Sequence, residues 1–212
     1  MRHALTLSLA AAAALFALQA QAAEQTRSVA PFSAVSNTGP VSVRIEVGKA
    51  QSITVSGNDE LVADLQTEVV GNELRLHMKR ENTTFNSHHD SLRVTITVPQ
   101  LTAFSMAGAG ETVITHMSGE SLDVSFAGAG SFKADGSVRN LKLNVGGVGS
   151  IDTRELHADN ANVNVGGVGS VKVWASTRLD ASVGGVGSLT YYGDPKTVNT
   201  NGGGLGSISK AK

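Results

Sequence analysis

The chain has 212 residues, 17 Lys and Arg against 18 Asp and Glu, and no cysteine. The near-neutral balance gives no footing for nucleic acid or for an anionic membrane surface. Without thiols there are no disulfides, thiolate metal sites or cysteine nucleophiles, and 41% hydrophobic against 17% charged residues excludes a disordered chain.

Arg2 and His3 make a weakly basic start, residues 4–18 are an apolar run of mainly Ala, Leu and Phe, and Ala20-Gln21-Ala22 is a small-x-small cleavage site. This order predicts a secretory signal peptide over residues 1–22. The run is shorter than the roughly 20 residues that a spanning helix needs. No cysteine follows it to carry a lipid anchor. Cleavage after Ala22 removes only Arg2 from the charge count, leaving 16 Lys and Arg against 18 Asp and Glu. The expected product is exported through the signal peptide and is periplasmic, secreted or associated with the cell surface.

Residues 30–212 read as one domain, with N-terminal strands over 30–100 and glycine-rich coils over 101–212. In the first part Val41, Val43, Ile45 and Val47 alternate with polar residues, and Ile53 and Val55 resume the pattern after a turn at Gly48-Lys49. Leu74, Leu76 and Met78 form a third run, and Leu92, Val94, Ile96 and Val98 a fourth, closed by Pro99. Period-2 alternation predicts half-buried strands, and Pro99 cannot donate to a ladder. Residues 58–65 are the one helical candidate, with Asn58 as cap and Leu61 and Leu65 on one face. The polar stretch 81–90 is expected to be a mobile loop.

From residue 101 the character changes. Of the 24 glycines, 20 lie between positions 108 and 206. They recur in six copies of one motif: Met106-Ala-Gly-Ala-Gly-Glu111, Phe126-Ala-Gly-Ala-Gly-Ser131, Val145-Gly-Gly-Val-Gly-Ser150, Val165-Gly-Gly-Val-Gly-Ser170, Val183-Gly-Gly-Val-Gly-Ser188 and Gly202-Gly-Gly-Leu-Gly-Ser207. Successive copies are 20, 19, 20, 18 and 19 residues apart. The lead-ins align as Leu122, Leu141, Ala161, Leu179, then Val124, Leu143, Val163, Ala181, then Phe126, Val145, Val165, Val183. After the motif a second strand begins with Phe132, Ile151, Val171, Leu189 or Ile208. A period near 19 is too short for a βαβ crossover, which takes about 30 residues, and suits one coil of a parallel solenoid. The reading is an all-β chain: about six coils of 18–20 residues, each two short strands joined by a glycine corner. Coils spaced about 4.8 Å apart give a rod of roughly 30 Å. Ala109, Ala129, Val148, Val168, Val186 and Leu205 are expected to form an apolar ladder at the corner, growing larger along the rod. The exposed last coil is an edge for end-to-end self-association.

The glycines invite three chemical readings, and none fits. A calcium-binding G-G-x-G-x-D repeat needs a carboxylate two residues after its last glycine, where this chain has Ile151, Val171, Leu189 and Ile208. A P-loop needs Gly-Lys-Ser/Thr, which is absent, and a dinucleotide fingerprint needs a helix after its glycines. His88-His89-Asp90 sits in the polar loop, and neighbouring residues of an extended chain point apart. His77, His116 and His157 are isolated in the sequence. A β-helix glycan-cleaving enzyme would draw on Lys133, Asp152, Arg154, Glu155, Asp159 and Lys172, but no carboxylate pair stacks between coils. In motif register Asp152 falls between Lys133 and Lys172, which reads as a surface charge ladder. Trp174, Tyr191 and Tyr192 fit either a patch for stacking on a sugar or a cover for the solenoid end. No catalytic, cofactor or metal residue is predicted, and the ligand-binding residues are unknown.

The opening Phe32-Ser-Ala-Val, the strand at residues 41–47, Leu74-Arg-Leu-His-Met, Leu92-Arg-Val-Thr-Ile-Thr-Val-Pro99 and the run of G-x-G-[SE] corners together resemble the DUF2807 family, the putative auto-transporter adhesin head GIN domain. The resemblance covers nearly all of residues 30–210. It implies a right-handed parallel β-helix, exported and surface-associated, and its name implies adhesion. It carries no functional residues onto this chain. A true autotransporter would add a C-terminal barrel of alternating strands, and the sequence ends at Ser209-Lys-Ala-Lys212 without one. The expected function is a non-enzymatic envelope module that binds or scaffolds an unknown glycan or protein; the alternative is a β-helix carbohydrate-active enzyme.

Overall fold

The computed structural model describes residues 23–79 and 92–211. The signal peptide, the polar loop at 81–90 and His88-His89-Asp90 lie outside these residues. In chain order the elements are β1 (Ala23–Arg27), β2 (Ala34–Asn37), β3 (Ser42–Val47), β4 (Ser52–Gly57), α1 (Asp59–Asp64), β5 (Leu65–Val70), β6 (Glu73–Met78), β7 (Leu92–Val98) and β8 (Ala103–Met106). Then come β9 (Ala109–Phe126), β10 (Ala129–Val145), β11 (Val148–Val165), β12 (Val168–Val183), β13 (Val186–Tyr192), β14 (Thr197–Gly202) and β15 (Ser207–Lys210). The molecule is an all-β parallel solenoid, in which six corners enclose about five turns.

The local signals act as expected. In β3, Val43, Ile45 and Val47 are buried while Arg44 faces solvent. β7 stops at Val98, one residue before Pro99. Asn58 caps α1, its side chain accepting from the Glu60 amide at 2.9 Å, and Leu61 and Leu65 are buried together.

Long-range pairing makes the N-terminal strands part of the stack. β2 pairs in parallel with β8, and β3 in parallel with β9. Between them Thr38-Gly-Pro-Val41 forms a further corner beneath the first glycine motif, with Pro40 bridged to Ala109. A Cβ on Gly108 would sit 2.0 Å from the Gly39 carbonyl oxygen. β6 and β7 pair in parallel with β2 and β3 on the other side. Beyond them the direction reverses: β4 runs antiparallel to β7, β1 to β4, and β5 to β6. α1 packs against β1, β4 and β5 at this end. Reversed strands and a helix close the N-terminal end, the device solenoids need to avoid an open edge.

The glycine half departs from the two-strand picture. Each of β9 to β12 is 16 to 18 residues long and runs from one glycine corner to the next. The strand leaving one corner and the strand entering the next are a single bent strand. The bend is made where ladder register slips, between Ala134 and Gly136 or between Thr153 and His157. Gly136 takes φ +116° there, and a Cβ on it would meet the Met117 carbonyl oxygen at 2.1 Å.

The three predicted inward columns stack in register and are buried from Leu122 and Val124 through to Leu179 and Val183. The corner ladder also stacks in register from Ala109 to Val186, but it faces outward. Val148, Val168 and Val186 are 57%, 49% and 50% exposed, and Leu205 is 83% exposed. The inward slot of the corner belongs to the preceding glycine. Gly147 and Gly167 are buried against the coil below, so the next residue points to solvent.

Candidate functional site

Two surface features stand out from the regular rod. The first is the outer face of the strand segments that lead into the corners. Their alternation sends Leu, Val and Ala inward, so the intervening positions must face water. Parallel register then lines those positions up as Ser121, Asn140, Asn160, Arg178, Thr197; as Asp123, Lys142, Asn162, Asp180, Asn199; and as Ser125, Asn144, Asn164, Ser182, Asn201.

Neighbouring coils hydrogen bond along these columns. Asn160 Nδ2 donates to Asn140 Oδ1 at 3.0 Å, and Asn164 Nδ2 donates to Asn144 Oδ1 at 3.3 Å. Lys142 Nζ lies 2.9 Å from Asp123 Oδ2. Asp180 accepts from Asn199 Nδ2 at 2.7 Å and from Arg178 Nη2 at 3.0 Å. The Arg178 guanidinium, helped by the Asn199 amide, holds the Asp180 carboxyl below the ordinary aspartate range. Two shallow troughs of about 250 and 280 Å³ run along this face, and Asn162 and Asp180 line both. The face offers amide, hydroxyl and carboxylate groups at a fixed repeat, a surface suited to an extended hydrogen-bonding polymer. Sequence reasoning named no residue of it, because each Asn is unremarkable until parallel register stacks it on another.

The second feature is where the repeat is broken. In β11 the ladder slips between Thr153 and His157, so Arg154, Glu155 and Leu156 have no partners on β12. The slip brings His157 beside Trp174, and Trp174 is paired with Tyr192. The rings of His157 and Trp174 lie 4.4 Å apart, tilted by 31°. The Arg154 guanidinium sits 5.7 Å from the centre of the Tyr192 ring.

Asp152 does fall between Lys133 and Lys172 in register, but its close partner is Arg154, at 2.9 Å from Nε and 2.7 Å from Nη2. That guanidinium holds the Asp152 carboxyl below its ordinary value, and Asp152 holds Arg154 firmly protonated. Of the three aromatic residues singled out from sequence, Tyr191 packs against the core and leaves the patch, while Trp174 and Tyr192 stay on the outer side with His157. Motif spacing had separated His157 from this group, because it follows its Ser150 by three residues more than Trp174 follows Ser170.

The remaining candidates scatter. Asp159 accepts from the Ser176 hydroxyl at 3.2 Å. His116, at φ +57°, donates its amide to Asp135 at 2.7 Å. Ile151, Val171 and Leu189, at the position a calcium repeat gives to its ligand, point into the core. Among the described residues no three His, Asp or Glu side chains gather, no ladder pair sets two carboxylates side by side, and no helix is long and apolar enough to cross a membrane.

In structure the chain is similar to a putative adhesin from Bacteroides fragilis, with a TM-score of 0.72 and 23% identity over 91% of this chain and 98% of that one. It is also similar to a putative adhesin from Parabacteroides merdae, with a TM-score of 0.50 and 13% identity over 91% and 97% of the two chains. A putative lipid binding protein from Parabacteroides distasonis aligns at a TM-score of 0.49 and 22% identity, over 91% and 98%. At 23% identity the first of these shows a shared fold. Among curated proteins no similar sequence is found. The family DUF2807, described as putative auto-transporter adhesin, head GIN domain, matches residues 31–195. That span is well over half of the sequence, and the chain belongs to this family.

Proposed function

We propose that the chain is a non-enzymatic, exported binding module of the adhesin type, which holds an extended envelope glycan or protein along its polar face. The observation that carries the reading is the stack of polar side chains over neighbouring coils, mostly Asn, Asp, Ser and Thr with Lys142 and Arg178 among them, centred on Asn162 and Asp180. A rigid repeat presents hydrogen-bonding groups at about 4.8 Å intervals, so a polymer can gain contacts additively without ordering the protein first. Family membership supports the adhesin character. Export is part of the same reading and rests on the basic start, apolar run and Ala20-Gln21-Ala22 of the sequence. Self-association through the exposed edge of β14 completes it.

A glycan array and a pull-down from envelope fractions test the proposal, each run with the chain and with Asn162→Ala. A retained partner that the substitution weakens supports it. No retained partner at all defeats it. Fractionation with N-terminal sequencing of the product checks export, and sedimentation at several concentrations checks self-association.

A further inference from the structure

We infer that the break in the repeat is a second binding site, which takes the ring of an uncharged saccharide. It lies on a different stretch of each coil from the polar face and does not rest on the reading of that face. The column through this site runs Ser118, Ser137, His157, Trp174, Tyr192. Two small hydroxyl residues give way to three rings in succession. Rings that only close the end of a solenoid would face its interior, as Tyr191 does. Trp174 instead sits on the outer side of β12 with β13 stacked beyond it. Gly193, at φ +82°, lets its backbone pass close by the indole: a Cβ there would lie 3.1 Å from Trp174 Cε2. Beyond exposed His157 the next residue of the column is Ser137, too small to cover the imidazole.

The polar partner of this strip is built by the slip in register. Bulges of this kind re-aim side chains beside functional sites. Here the bulge carries Arg154 out to Tyr192 while Asp152 holds its guanidinium by three hydrogen bonds. A fixed carboxylate next to a fixed guanidinium offers acceptor and donor side by side, which suits neighbouring hydroxyls of a sugar. The rings supply a surface for its C–H face, and Trp and Tyr have an apolar body with a polar tip. Charge selects the class of sugar. Lys133, Arg154 and Lys172 are outnumbered by Asp135, Asp152, Glu155 and Asp159 on the same stretch of β10 to β12, so no positive field draws an acidic glycan.

The chain has one tryptophan, so intrinsic fluorescence reports this site directly. The intact protein is titrated with cellohexaose and chitohexaose, and with hexagalacturonate as the acidic arm. A saturable shift with a neutral hexaose is expected, with a weaker response to the acidic one. Arg154→Gln and His157→Ala, both on the surface, should each weaken binding at least about fivefold, the range of one hydrogen bond to a charged group or one ring contact. Calorimetry on both variants, with unchanged melting temperatures, separates lost contacts from lost fold. No response to either neutral hexaose, a preference for the acidic one, or unaltered affinity in both variants overturns the inference. Capture of a protein at Trp174 with no sugar response overturns it as well.

Discussion

Gly147 lies directly on Gly128: a Cβ added to Gly147 would stand 2.0 Å from the Gly128 carbonyl oxygen. The same approach recurs at Gly167 over Gly147 and at Gly185 over Gly167. Gly146, one residue earlier, has nothing within 4 Å of its added Cβ and no positive φ. The first two motif copies already carry Ala107 and Ala127 at that position. Gly147→Ala should therefore lower stability by about 3 kcal/mol or more, because the obstacle is backbone and cannot rotate away. Gly146→Ala should stay within about 1 kcal/mol of the parent, on the stabilising side. Paired thermal melts decide this, and equal losses in the two variants would contradict the stacking.

The valine ladder and the leucine column make opposite predictions for similar chemistry. Leu143 is wholly buried, whereas Val168 is 49% exposed. Leu143→Ala should cost about 2–5 kcal/mol, and Val168→Ala about 0.5 kcal/mol or less. Denaturant midpoints measure both, and a large loss for Val168→Ala would place that side chain in an interface.

Asp152 supplies a dependence on pH. Its carboxyl is held below the ordinary value mainly by the hydrogen bonds from Arg154. A lowered folded pKa stabilises above the unfolded value, near 3.9 for aspartate, and the contribution is lost as pH falls through the folded value. The parent should exceed Asp152→Asn in stability at neutral pH, and the gap should close in acid. The pair is partly exposed, with the side chains of Arg154 and Asp152 at 41% and 21%, so the gap should be modest and shrink in salt. Urea midpoints near pH 7 and near pH 2.5, each in low and high salt, provide the check.

The cap of α1 is a separate test of the N-terminal closure. Asn58→Ala removes the acceptor for the Glu60 amide and should cost about 1 kcal/mol. Amide exchange should quicken in α1 before it does in β9 or β10. Uniform quickening along the rod would mean that the closure and the coils open as one unit.

The coils were legible in the sequence because their causes are local. Period-2 alternation states which side chains go inward, and Leu143 and Val163 obey it without help. The glycine period near 19 states how often the chain turns. The corner at Thr38-Gly-Pro-Val41 was not legible. It keeps a single glycine where the later corners have two to four, and its identity rests on Gly39 lying beneath Gly108. The direction of the corner ladder was also hidden, since alternation does not say that Gly147 takes the inward place and turns Val148 outward.

Local periodicity therefore settled the repeat, the inward columns and the absence of a carboxylate at the calcium position. Pairing between segments about twenty residues apart in the coils, and nearly seventy apart for β2 and β3, settled the rest. It decided that β2 and β3 belong to the stack, that the Asn columns bond to one another, and that Arg154, His157, Trp174 and Tyr192 meet. The reason is physical: a bulge changes which residues face each other without changing the composition of either strand, so only the folded ladder reveals the match.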